Sequence, residues 1–127
     1  DKWNEERRAV ADRYRALFAE HDLLDVVVPP SEDQGNYHIY HQYVPRVSGD
    51  RDGLVEFLGK EGITSRVYHP VSLHLQKCFS FLGYGEGDCP VSERLSHESI
   101  ALPIFPELTS DEQEWVVSSI AKFYGRK

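Results

Sequence analysis

The segment RVYHPVSLHLQ, residues 66–76, gathers an arginine, a tyrosine and two histidines in one short run. Imidazoles ligate metals and move protons, and a guanidinium pairs with oxyanions. The segment is therefore a metal site, a catalytic centre, or one half of a site completed elsewhere. Metal ligation needs three or four converging donors. His69 and His74 are five apart with Pro70 between them, and no carboxylate or third ligand is placed to join them. His38 and His41 lie three apart in a run with strand character, and alternation sends their side chains to opposite faces. His38 is expected as a half-buried residue bonded to backbone. Nucleophilic catalysis fares no better. Ser65, Ser72 and Ser80 neighbour the histidines, yet no G-x-S-x-G elbow exists. Cys78 follows His74 by four, but nothing orients the imidazole or forms an oxyanion hole, so Cys78 is expected as a buried core thiol. GYGEGD carries acids where an anion would bind, and is expected as a turn and helix start.

Amphipathic and capping patterns supply the elements around this segment. Trp3, Val10, Tyr14 and Leu17, with Phe18 beside them, predict a helix over residues 1–20. YHIYHQYVPRV, residues 37–47, is aromatic and β-branched and predicts a strand with Pro45 near its end. Asp50 is a candidate N-cap for a short helix through LVEFLGKEG, with Gly62 at its C′ position. ITSRVYH predicts a strand closed by Pro70. SLHLQKCFSFLG suits a helical turn. Pro90 suits the first turn of a helix through VSERLSHES. IALPIFPEL predicts a short strand. Thr109 with Glu112 forms a capping-box pattern opening a last helix, whose stripe is Val116, Ile120 and Phe123 with Trp115 alongside. The expected architecture is a small α+β domain of three or four antiparallel or mixed strands with helices on one face.

The 127 residues suit one domain. Fourteen basic against twenty-one acidic residues give a net charge of −7, which argues against nucleic acid or anionic membrane as the main partner. No apolar run reaches the ~20 residues of a membrane span. Cys78 and Cys89 are expected as free thiols, and the chain as cytoplasmic. The opening DKWNEERR has the character of mid-chain sequence.

Four blocks in order, YHIYHQYV, GITSRVYHPVSLHLQ, LGYGEGDCPVSERLS and ALPIFPELT, resemble the C-terminal region of the DegT/DnrJ/EryC1/StrS family. DKWNEERRAVADRYRALF is similar to the family's passage from large to small domain. Tyr68-His69-Pro70 stands where many members have His-Tyr-Pro, and Ser72 where a second proline is common. The resemblance implies that residues 1–127 are the small C-terminal domain of a fold type I aminotransferase. It implies pyridoxal phosphate in the intact enzyme, a nucleotide-linked keto sugar as substrate, glutamate or glutamine as amino donor, and a homodimer. Transamination on this cofactor needs a Schiff-base lysine, an acid at the pyridinium nitrogen and a phosphate cup. Lys2, Lys60, Lys77, Lys122 and Lys127 have no such context, so the cofactor is expected to bind in a large domain outside this sequence. The chain alone is then expected to be inactive. His74, in the family's Leu-His position, is the first expected substrate contact, donating to a sugar hydroxyl or phosphate. Arg66 is expected to pair with phosphate, and Tyr68 to stack or hydrogen-bond. The first helix, with Trp3 near its start, is expected to form part of the surface that meets the large domain. The competing expectation is a stand-alone binding module that kept the fold and lost catalysis.

Overall fold

The computed structural model describes residues 1–126. Its helices are α1 (Lys2–Glu20), α2 (Arg51–Lys60), α3 (Pro90–Glu98) and α4 (Ser110–Phe123), with 3-10 turns at Leu73–Leu75 and Lys77–Leu82. Local chemistry sets their ends. The Asp50 carboxylate accepts the Gly53 N–H at 2.8 Å, opening α2. Gly62, at φ 79°, follows the last turn, where a side chain would strain the left-handed backbone. Pro90 begins α3 as expected. The Thr109–Glu112 capping box is complete at α4.

The fold is α+β, with a reduced sheet. Strands β1 (Val27–Val28) and β2 (Arg46–Val47) pair antiparallel, Val27 opposite Val47. Single antiparallel bridges extend this ladder: Tyr43 to Leu102, Arg46 to Ser99, and Arg66 to Ala101. Four chain segments thus lie side by side, each paired over a residue or two. Val27, Tyr43, Val47, Ile100 and Leu102 are buried in the core with Tyr14 and Phe18 of α1, Leu54 and Leu58 of α2, and Val116, Val117 and Ile120 of α4.

Strand pairing over residues 37–47 is confined to Tyr43, Arg46 and Val47. The reason lies in Tyr40, whose positive φ of 46° turns the chain, and in polar links to α1. Arg8 grips Glu32 with two hydrogen bonds of 2.8 and 3.0 Å and donates to the His38 carbonyl at 2.7 Å. Glu32 also accepts the His38 N–H at 2.6 Å. The His38 ring accepts the Tyr40 N–H at 2.9 Å, so its expected half-buried, backbone-bonded role holds. The strand on which the opposite-face expectation for His38 and His41 rests does not form at residues 37–42, and both histidines line one concavity beside Pro30. ITSRVYH and IALPIFPEL likewise pair only through the single bridges. Trp3 is exposed and stands off the α1 core stripe. Trp115 is also exposed, with its Nε1–H donated to the Glu61 carbonyl.

Tyr14 links the layers. Its ring stacks on Tyr43 at 4.9 Å and on Phe18 at 5.9 Å, and its hydroxyl donates to the Pro103 carbonyl at 2.8 Å. Tyr14→Phe is expected to cost about 1 kcal/mol in urea unfolding, and Tyr14→Ala about 3–5 kcal/mol.

Arg8 and the His38 N–H pull the Glu32 carboxyl from 4.5 down to about 2. A carboxyl with a lowered folded-state value stabilises the fold above its unfolded value, and stops doing so as pH falls through the folded one. The Glu32 contribution is therefore complete above about pH 4.5 and fades toward pH 2. Stability curves of the wild type and Glu32→Gln should separate at neutral pH and converge toward pH 2.

Candidate functional site

The Arg66–Gln76 segment leaves the ladder at its edge. Arg66 N–H donates to the Ala101 carbonyl at 3.1 Å and its own carbonyl accepts the Ala101 N–H at 2.7 Å. The chain then runs out through a cis Tyr68–His69 peptide, the two 3-10 turns and a glycine loop before returning as α3. No residue between Ile63 and Ile100 belongs to the hydrophobic core. Burial in this arm is polar instead: Ser72 and Ser96 are its buried polar side chains, and Ser92 Oγ donates to Ser72 Oγ at 3.2 Å.

Charged clasps replace the missing core. At the base of the arm, the buried Arg51 guanidinium donates to the carbonyls of Ser96 and Ser99, at 3.1 and 2.8 Å, fixing the end of α3 against the start of α2. At its tip, Glu93 accepts the Gly87 N–H with both oxygens at 3.0 Å and the Cys89 N–H at 3.1 Å. Gly87, at φ 90°, takes a backbone shape that a side chain would oppose. Glu93 Oε1 also lies 3.0 Å from His74 Nε2. The Gly87 N–H first, then Cys89 and His74, hold the Glu93 carboxyl below the usual carboxylate range, against partial desolvation.

Between the 68–76 turn and the first half of α3 lies an open cavity of about 830 Å³. Tyr68, Val71, Leu73, Cys89, Val91 and Leu95 line it. A smaller concavity of about 320 Å³ lies on the ladder side, lined by His41, Thr64, Arg66, Tyr68 and Leu102. Arg66 and Tyr68 are thus brought together, and Tyr68 borders both hollows. His74 borders neither; its side chain is 9% exposed and its ring meets Tyr84 edge-on at 6.4 Å. Cys78 is exposed, which corrects its expected place in the core: the 77–82 turn buries none of its side chains. Both cysteines are free thiols.

Glu93 and Arg51 were not legible as site-builders. Glu93 reaches back from the fourth helical position, one beyond the capping-box template, and the Gly-rich run before it is the only signal. Arg51 sits where a surface charge is ordinary, at the start of a helix. Among the described residues no three His, Cys, Asp or Glu side chains converge. No described helix is long and apolar enough to cross a membrane.

Arg51→Leu keeps the bulk and strands two carbonyls at the root of α3. It is expected to cost about 2–3 kcal/mol, measured by urea unfolding, with hydrogen exchange rising first in α3.

Comparison with known proteins places this geometry. The model of the DegT/DnrJ/EryC1/StrS aminotransferase family matches residues 1–121. A pleiotropic regulatory protein of Geobacillus stearothermophilus is 46% identical over 98% of this chain and 33% of its own length. The UDP-N-acetyl-3-dehydro-alpha-D-glucosamine 3-aminotransferase of Acidithiobacillus ferrooxidans is 35% identical over 87% of this chain and 28% of its own length. Among solved structures, a DegT DnrJ EryC1 StrS aminotransferase from Brucella abortus superposes with a TM-score of 0.83 at 34% identity, covering 97% of this chain and 31% of that one. DesV of S. venezuelae, solved with a ketimine intermediate, reaches a TM-score of 0.89 at 25% identity, covering 100% and 33%. The chain spans about a third of the length of these relatives. With the family model matched along nearly its whole length, the chain belongs to the DegT/DnrJ/EryC1/StrS aminotransferase family.

Proposed function

We propose that this chain is the small C-terminal domain of a pyridoxal-phosphate aminotransferase that passes an amino group from glutamate or glutamine to a nucleotide-linked keto sugar. The observation that carries the reading is the arm of residues 67–98. It adds nothing to the core, yet it holds Val71, Leu73 and Val91 exposed along the larger cavity and Phe81, Leu82 and Tyr84 exposed beyond it, Leu73 at 64% and Phe81 at 79%. Apolar area of that extent on a chain a third as long as its relatives supports a face made to be covered. In this reading the remaining two-thirds of the enzyme covers it, and the arm forms one wall of the substrate cleft. Trp3, exposed at the start of α1, belongs to the same contact. The enzyme works in the cytoplasm as a homodimer.

The cofactor supplies an electron sink when bound. The residues present do not fit it. No lysine borders the larger cavity, and Lys77 beside the turn faces Leu75, His69 and Pro70 with no carboxylate among the lining residues. Lys127 lies outside the described residues. The lysine, its acid and the phosphate cup therefore belong to the covering domain. This chain's own part is to orient the sugar nucleotide. Arg66 offers a planar fork to phosphate, Tyr68 a ring and a hydroxyl between the two hollows, and His74 a ring nitrogen.

A second reading is a ligand- or protein-binding module without catalysis, and the regulatory name of the Geobacillus relative favours it. Calorimetry separates the two: binding of a nucleotide sugar by this chain without cofactor supports the module.

The aminotransferase reading is tested at parent length. The reading frame upstream of Asp1 should encode a lysine-bearing cofactor domain, and an unrelated domain there ends the idea. In that enzyme Arg66→Ala and Tyr68→Phe should each raise KM for the sugar nucleotide about tenfold, with kcat changed less than about threefold, the pattern of lost ground-state binding.

A further inference from the structure

Glu93, in the first turns of α3, holds the glycine loop just before it and reaches across nineteen residues to the 73–75 turn. Two of its partners are backbone N–H groups, at Gly87 and Cys89, which can only donate. A carboxylate occupied in this way is an acceptor toward its third partner as well. The His74 nitrogen facing it at 3.0 Å, Nε2, must then carry a proton. In a neutral imidazole the other nitrogen is left with its lone pair outward. Nδ1 of His74 has no hydrogen-bond partner among the described residues; the ring's contacts are Glu93 and Tyr84. The fully buried side-chain atoms lacking a partner are Tyr43 Oη and Ser65 Oγ, so Nδ1 is not fully sealed within the chain, although the His74 side chain is only 9% exposed.

We propose that Glu93 is a positioning residue that locks His74 in its Nε2–H form and leaves Nδ1 as an outward hydrogen-bond acceptor. This deepens the aminotransferase reading and rests on it for the identity of the ligand. The consequence is selectivity. A lone-pair nitrogen accepts from a hydroxyl or an amide N–H and repels a phosphate oxygen. His74 therefore recognises a donor on the sugar ring, a hydroxyl or the N–H of an acylamino group, and does not donate to phosphate. Phosphate is left to Arg66. The glycine loop is part of the same device, since the carboxylate that sets the tautomer also fixes Gly87 and Cys89.

Nitrogen-15 spectra of the histidine rings in this 127-residue chain test the assignment, at a pH where the rings are neutral. The expected result is one His74 tautomer with the proton on Nε2 and the unprotonated shift on Nδ1. A proton on Nδ1, or a mixture of tautomers, overturns the proposal without any variant. Glu93→Gln should abolish the single tautomer and speed amide exchange at Gly87 and Cys89 at least tenfold. Should that variant unfold, Glu93→Asp, which keeps the charge and shortens the reach, should show the same changes to a smaller degree. An unchanged tautomer in a folded variant also overturns the proposal. Neither measurement needs transamination, so a failed aminotransferase assay and a failed tautomer assignment are distinguishable.

Discussion

The Tyr14 side chain is the constraint on which the rest of the domain depends. Its ring closes the gap between α1 and the ladder by stacking on Tyr43, and its hydroxyl reaches the Pro103 carbonyl eighty-nine residues along the chain. Removing water from an aromatic surface of this size outweighs the cost of burying one hydroxyl, provided that hydroxyl finds an acceptor. Both conditions are met here. The ladder beneath is only one or two residues wide at each pairing, too little to hold four segments by backbone hydrogen bonds alone. Side-chain packing from α1, α2 and α4 sets its geometry, and the ladder in turn sets where Arg66 leaves it.

The arm beyond Arg66 follows a different physical rule. Where the body buries apolar side chains, the arm exposes them and secures itself through two charged groups, Arg51 at the root and Glu93 at the tip. Hydrogen bonds to a charged group are stronger and more directional than neutral ones. They hold a loop in one shape without a core of its own. This division suits a wall that must keep its form while its apolar face meets another surface. It also explains why the two histidines of the opening segment part company. His69 sits at the rim of the larger cavity, while His74 is drawn inward to the carboxylate.

Local signals proved legible where the energy is local. The capping box at Thr109, the Asp50 cap, Pro90 at the start of α3 and Gly62 after α2 each depend on groups within four residues of one another. The apolar period of α1 was equally plain from Val10 to Phe18, and misled only at Trp3, which lies beyond the reach of the core. Strand propensity over residues 37–47 misled more, because Arg8 and Glu32 bend that segment onto α1 and Tyr40 turns it out of the ladder. Those contacts span twenty-four and thirty residues, and composition within the segment carries no trace of them.

By itself the sequence determined the helices, their caps, the α+β class and the family, since each rests on residue order over short windows or on motif blocks in series. Only the tertiary structure decided what the charged residues do. Glu93 and Arg51 look like ordinary surface charges until folding brings backbone donors or carbonyls around them. His74 looks like a metal ligand or a base until Glu93 takes one of its nitrogens. Electrostatic roles depend on the distance and solvent exposure of partners remote in the chain, and that information exists only once the chain is packed.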